Sequence, residues 1–254
     1  MNGRRAAAVA PEMTAGRLFL IPASLGGGPW QATVPPLVRE AVCDLDYFIA
    51  ENARSARAEL KRLGVTRPLQ SIEIREIPRD ARGPAADELL APVREGRCAG
   101  LISEAGCPAV ADPGAELVRL AHQDGIRVVP LVGPSSILLA LMASGLNGQR
   151  FAFHGYLPIP EAARRAAIAD LEAESRRRGQ TQVIIETPYR NAALFRTLIE
   201  TCAGATLLCV ATEITLESER ISTRSIAEWK RNPPPEIERR PTVFLLLAGP
   251  LSAG

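Results

Sequence analysis

Aromatic residues are scarce in this chain of 254 residues: six Phe, two Trp and three Tyr make up 4% of it. Leu, Val, Ile and Ala must therefore fill any core. Lysine is nearly missing as well. Only Lys61 and Lys230 interrupt a basic complement of 30 that is otherwise arginine. An excess of one charge is also lacking, because 28 acidic residues leave a net charge of +2. That balance argues against a nucleic-acid coat or a membrane-surface protein, although it leaves room for a local basic patch. Arginine suits bidentate phosphate contacts; a bias in genomic base composition accounts for the same excess. The five cysteines, Cys43, Cys98, Cys107, Cys202 and Cys209, are odd in number and contain no C-x-x-C. A zinc site or a secreted disulfide framework is not expected, and reduced thiols in a cytoplasm are. No metal site is expected elsewhere. Long apolar runs are absent too. The longest uncharged stretch, Val128–Gln149, is broken by Pro130, Gly133 and Pro134, so no membrane span is expected. Residues 1–16 open on a basic pair, but their apolar stretch stops at Pro11. They read as a disordered tail rather than a signal peptide.

What is present is an alternation of short apolar runs with helical patterns. Strands are expected at 17–21, 47–50, 71–77, 98–103 and 127–132, with helices at 35–45, 53–63, 85–94, 115–123 and 135–144. This alternation predicts an α/β domain over 17–146 with a mostly parallel sheet. After the turn signal Asn147-Gly148, strands are expected at 151–157, 182–186, 206–213, 218–223 and 242–248. Helices are expected at 161–178, 191–202 and 227–231. The short link between the third and fourth of these strands makes them antiparallel, so a second α/β domain over 149–250 is expected to carry a mixed sheet.

Ligands of open α/β sheets lie beyond the carboxyl ends of the strands, so the loops there carry the functional signal. Gly26-Gly27-Gly28 follows the first strand, but no G-x-G-x-x-G is present and no helix starts from the glycines. A dinucleotide reading, with Glu51 on a ribose, competes there with a plain surface loop. The loop Ser103–Gly114 is long and built of small residues with two prolines. Such a chain exposes main-chain N–H and C=O groups to a ligand. Asp112, just before Pro113, reads as a cap of the next helix, and Cys107 lacks a basic partner nearby in sequence. Ser135 and Ser136 follow Gly133-Pro134; one can cap the helix and the other can face a ligand. Glu186-Thr187-Pro188-Tyr189-Arg190-Asn191 gathers a carboxylate, a phenol and a guanidinium at one strand end. His154, inside a strand, reads as a satisfied core residue. The run Arg176–Arg178 reads as a solvated face, with an RNA-phosphate role as the alternative.

These pieces together resemble the tetrapyrrole methylase superfamily, and within it the branch that methylates ribose 2′-hydroxyls of small-subunit ribosomal RNA. The carriers are LFLIP at Leu18–Pro22, ENARSARAEL at Glu51–Leu60, ISEAGCPAVADPG at Ile102–Gly114, VVPLVGPSSILLALMASGL at Val128–Leu146, FHGYLP at Phe153–Pro158 and ETPYRN at Glu186–Asn191. The resemblance implies two α/β domains, S-adenosylmethionine in the cleft between them, and a homodimer. It places the cofactor on Ser103, Glu104, Ala105, Gly106, Pro108 and Val110, on Ser135 and Ser136, on Glu186 and Thr187, on Ala211 and Thr212, and on Pro241 and Thr242. The chain departs from the branch at three points: Gly26-Gly27-Gly28 replaces Gly-Asn-Leu, Glu51-Asn52-Ala53-Arg54 replaces Glu-Asp-Thr-Arg, and Ser103-Glu104 replaces Ser-Asp. The first two touch the acceptor side.

The cofactor brings the electrophile, so the protein chiefly aligns and desolvates. A ribose hydroxyl benefits from a base, whereas a tetrapyrrole carbon needs less proton transfer. Candidates for that role are Glu51, Arg54, Glu186, Tyr189, Arg190 and Glu213. Three functions follow: a methyltransferase on ribosomal RNA, a methyltransferase on a tetrapyrrole or other small molecule, and a cofactor- or RNA-binding homologue that transfers nothing. For the first, Arg4, Arg5, Arg54, Arg57, Arg164, Arg165 and Arg176–Arg178 are the candidate phosphate contacts.

Overall fold

The computed structural model describes residues 16–78 and 83–249. All but the last residue of the expected tail, with Arg4 and Arg5, lies outside them. The chain forms two compact units. One comprises the described residues through Ala23 together with Val34–Gly133; the other comprises Ser24–Thr33 and the described residues from Pro134 onward.

The first unit alternates strand and helix: β1 (Arg17–Ile21), α1 (Pro36–Cys43), β2 (Tyr47–Ala50), α2 (Ala53–Arg62), β3 (Glu73–Glu76), α3 (Pro84–Arg94), β4 (Ala99–Ile102), α4 (Ala115–Gln123) and β5 (Arg127–Pro130). The strands pair in the order β3-β2-β4-β1-β5, and every pairing is parallel. Successive side chains point to opposite faces, and β2 is buried on both. Tyr47 and Ile49 join Leu18, Leu90, Leu101 and Leu117 in one core. The Tyr47 hydroxyl donates to the Leu89 carbonyl at 2.8 Å, and burial pushes its pKa up. Gly100 lies where a Cβ would come within 2.5 Å of Ile21 and 2.8 Å of Phe48. β3 is shorter than the alternation predicted, because a 3₁₀ turn takes Leu69–Ser71.

The second unit contains α5 (Ser136–Ser144), β6 (Phe151–Phe153), α6 (Glu161–Arg178), β7 (Thr181–Ile185), α7 (Asn191–Thr201), β8 (Leu207–Thr212), β9 (Arg220–Ser225), α8 (Ile226–Arg231) and β10 (Thr242–Leu247). Its sheet runs β6-β7-β10-β8-β9 and is mixed. β6 pairs parallel to β7, and the other pairings are antiparallel. Residues of α6, α7 and α8 pack with Ile184, Val210 and Phe244 on one face. Ala140 and Leu141 of α5 pack with Val183, Ala211 and Leu245 on the other. That packing moves the expected boundary. The helix assigned by sequence to the first domain, 17–146, belongs to the second unit because its apolar side is buried on the second sheet. Segment 24–33 joins it there, with Leu25 against the same core. β6 stops at Phe153 rather than 157, and Gly155 turns the chain at φ +63°. No helix among the described residues is long and apolar enough to cross a membrane.

Candidate active site

The order of the first sheet creates the opening that a ligand needs. The chain leaves β1 and β2 toward the β3 edge, but leaves β4 toward β5. Neighbouring β2 and β4 therefore send their loops apart, which is where parallel sheets bind ligands. The loops after β1 and β4 are clipped together at their start. Ala23 N–H donates to the Gly106 carbonyl at 2.8 Å, and Gly106 N–H donates back at 3.1 Å.

Beyond that clip the β4 loop is held in an unusual conformation. Gly106, Ala109 and Ala111 all have φ between +64° and +70°. Left-handed alanines cost energy and cluster at ligand sites. Gly106 and Pro108 are buried, while Ala105 and Val110 are exposed. Ser103 is 5% exposed, yet its hydroxyl makes no hydrogen bond of regular geometry.

Asp112 does not cap α4 as its position before Pro113 suggested. Gly114 takes the capping position, with no side-chain cap. The Asp112 carboxyl is half-buried, and burial, then the negative charge of Glu51 and that of Glu104, push its pKa up to about 6; the Ser103 hydroxyl beside it pulls the other way. Glu51, at the end of β2, is raised by burial and by Glu104. Neither Glu51 nor Asp112 has an ion-pair partner within 4 Å among the described residues. Glu104 accepts a hydrogen bond from the Ser55 hydroxyl at 3.1 Å. Asn52 keeps the capping role that an aspartate would have, accepting from Arg54 N–H at 2.9 Å and Ser55 N–H at 3.0 Å. Arg54 is exposed on α2.

In the second unit, antiparallel pairing brings the start of β10 beside the ends of β7 and β8. Pro241, Thr242, Glu186, Thr187, Ala211, Thr212 and Glu213 therefore gather at one end of that sheet. Their side chains are largely committed. Glu186 is buried, accepts from Arg190 at 2.9 and 2.6 Å, and accepts from Thr187 N–H at 2.7 Å. Glu213 accepts from Arg240 at 3.1 Å, and its N–H donates to the Pro241 carbonyl. The hydroxyls of Thr212 and Thr242 bond each other at 3.3 Å. Tyr189 is 80% exposed. The Ser135 hydroxyl caps α5 by accepting from Leu138 N–H at 3.5 Å, and Ser136 is the first residue of that helix. His154 bonds the Gln182 side chain, the satisfied arrangement expected of it.

The arginines chosen by sequence are mostly spent. Arg164 is buried on Thr197 and the Ile159 carbonyl. Arg165 pairs with Glu161 and Glu200, and Arg176–Arg178 pair with Glu172 and Glu174. Arg54 and Arg57 remain exposed, with no ion pair among the described residues.

The family model for Tetrapyrrole (Corrin/Porphyrin) Methylases matches residues 31–229. The chain belongs to the tetrapyrrole methylase family. It is similar to the ribosomal RNA small subunit methyltransferase I of Escherichia coli O157:H7, at 30% identity over 92% of this chain and 78% of that one. It is similar to the protein of the same name from Mycobacterium bovis, at 34% identity over 85% of this chain and 72% of that one. Among solved structures, it shares its fold with the methyltransferase CobJ, at TM-score 0.59 and 20% identity over 92% of this chain and 95% of that one. The uroporphyrin-III C-methyltransferase of Thermus thermophilus matches at TM-score 0.53 and 18% identity, over 91% and 92% of the two chains. As a tetrapyrrole methylase, the protein is a methyltransferase that uses S-adenosylmethionine.

The β4 loop suits such a cofactor. Its small side chains leave peptide groups accessible, its left-handed residues turn them, and the buried Ser103 hydroxyl stands beside Asp112 at its start. The carboxylate that sequence reasoning set aside as a helix cap, and that the structure places beside Ser103 and Glu51, is Asp112. Its cue was the Asp-Pro-Gly triplet, which reads equally as a helix start.

Proposed function

We propose that this methyltransferase acts on a ribose 2′-hydroxyl of small-subunit ribosomal RNA. The carrying observation is the pair Asp112, in the loop after β4, and Glu51, just after β2, with the Asp112 pKa near 6. A ribose hydroxyl must lose its proton as it is methylated. A base whose pKa lies near the working pH does this best, since it is ionised yet still proton-seeking. In this reading S-adenosylmethionine, when bound, supplies an electrophilic methyl group. The segment Ser103–Val110 grips it through main-chain groups and the Ser103 hydroxyl. Asp112 accepts the hydroxyl proton, and the Glu51 charge keeps its proton affinity high. The names of the similar proteins support an RNA acceptor, and the need for a base favours oxygen over a tetrapyrrole carbon. A homodimer fits the apolar surface that α5 and the edge strand β6 expose at Leu138, Met142 and Phe151; sedimentation of Met142→Glu as a monomer, with the unaltered protein a dimer, supports it.

Mass spectrometry of nucleosides from small-subunit ribosomal RNA of a deletion strain and its parent tests the reading. Loss of one 2′-O-methylnucleoside is the expected result. Identical nucleosides in both strains overturn it.

A further inference from the structure

Adjoining the strand-end site, with which it shares Thr212 and Arg240, the second unit holds a cavity of about 370 Å³ walled by the edge strand β9, the end of β8, α8 and the proline loop at 233–235. Alternation along β9 puts Arg220, Ser222 and Arg224 on one face, and Arg240 closes the far side. Among the described residues, neither Arg220 nor Arg224 has a carboxylate within 4 Å. Arg220 donates to the Glu219 carbonyl at 2.7 Å. Arg224 lies 4.8 Å over the ring of Trp229. Arg240 is shared with Glu213 at 3.1 Å and Glu236 at 3.4 Å, and Glu228, at the start of α8, feels Arg224. Of the charged groups that line the cavity, Arg220, Arg224 and Arg240 face the single carboxylate of Glu236, and that lining carries a surplus of positive charge.

We propose that this cavity binds the phosphodiester backbone of the RNA substrate, a role that rests on the RNA reading above. The chemistry favours phosphate in three ways. Guanidinium forks match phosphate oxygens bidentately. The hydroxyls of Ser218 and Ser222 line the same cavity and add neutral donors. Alternate residues of a strand lie about 6.6–6.8 Å apart, a spacing of the order of successive phosphates along an extended strand. Base stacking is not available, because Trp229 is only 4% exposed and its indole N–H is committed to the Leu208 carbonyl at 2.9 Å. The pocket thus positions RNA without reading its sequence.

The test is the affinity of the full chain for small-subunit ribosomal RNA, measured across salt concentrations for the unaltered protein and for Arg220→Gln/Arg224→Gln. The substituted side chains lie on an edge strand and are at least partly exposed; calorimetric binding of S-adenosylmethionine checks that the protein stays folded. The expected result is unchanged cofactor binding, RNA affinity lower by about ten-fold, and a log–log salt slope smaller by about 1.4. Ser222→Glu, which adds a carboxylate without removing an arginine, should weaken RNA in the same direction. Equal affinity and slope for all three proteins overturn the pocket while leaving the RNA reading standing. Absence of salt-dependent RNA binding by the unaltered protein overturns both. Displacement of the RNA by micromolar inorganic phosphate marks a small-anion site and overturns the backbone assignment.

Discussion

The two sheets treat carboxylates at their strand ends in opposite ways. At the end of the second sheet, Glu186 and Glu213 each meet an arginine, Arg190 and Arg240. In the first unit, Glu51 follows β2 and Asp112 lies in the loop after β4; Asp112 feels the charge of Glu51, both feel that of Glu104, and neither has a paired cation among the described residues. Position at a strand end therefore does not make a carboxylate a base. A carboxylate bonded to a guanidinium already has its oxygens occupied by donors. One that is part-buried beside other acids is pushed toward accepting one. The contrast separates two carboxylates tied to arginines from two that the proposed function puts to chemical use.

The sharpest way to break this contrast is Asp112→Asn, which keeps the shape and removes the base. Turnover should fall by about 10²- to 10⁴-fold, with S-adenosylmethionine affinity held. In the unaltered protein kcat/KM should rise with pH through about 6, as the carboxyl ionises; that limb should vanish in the variant. A kcat within three-fold of the original removes Asp112 from the reaction. The corresponding change Glu213→Gln should leave the pH profile where it was.

Next in size is the main-chain wall. Gly106 has φ +70° and both accepts from and donates to Ala23. Gly106→Leu places a branched side chain on a left-handed residue of the proposed cofactor wall. Calorimetry should show cofactor affinity reduced by at least about ten-fold, about 1.4 kcal/mol. Unchanged affinity in a protein with an unchanged melting temperature puts the cofactor elsewhere.

Smaller effects separate structure from function. Gly100→Ala sets a methyl group against Ile21 and Phe48 inside the first sheet, and overpacking of this kind costs about 1–3 kcal/mol. Urea unfolding should show that loss, with turnover at 25 °C little altered. A stable variant means that the two side chains move aside at no cost.

Much of this architecture is legible in the residues themselves. Alternating apolar runs place every strand to within a few residues, and the short 213–219 link marks β8 and β9 as antiparallel. What stays hidden depends on tertiary contacts. Helix α5 is apolar enough to serve either sheet, and only its packing on Ala211 and Leu245 assigns it to the second unit. The charged run Arg176–Arg178 is conspicuous in sequence but spent on Glu172 and Glu174 one helical turn away. Arg220 and Arg224, four residues apart in an ordinary-looking segment, gain their setting from strand alternation and from Trp229. Asp112 is masked by a sequence that reads equally well as a helix cap, a role that Gly114 fills instead.

The smallest expected effect follows from the sign of the Asp112 shift. Its folded pKa, about 6, lies above its ordinary value of 3.8. The folded state therefore holds the proton more tightly than the unfolded chain does. Below about pH 4 both states are protonated and the group is neutral to stability. Between about pH 4 and 6 the unfolded chain releases its proton first, so stability falls as pH rises, and above 6 the loss is complete. Asp112→Asn has no such titration. The variant should unfold at higher urea than the unaltered protein at pH 8, and the gap should close as the pH is lowered toward 4. A gap that is constant with pH, or that widens toward acid, means the carboxyl is not held in the setting that Glu51 and burial create for it.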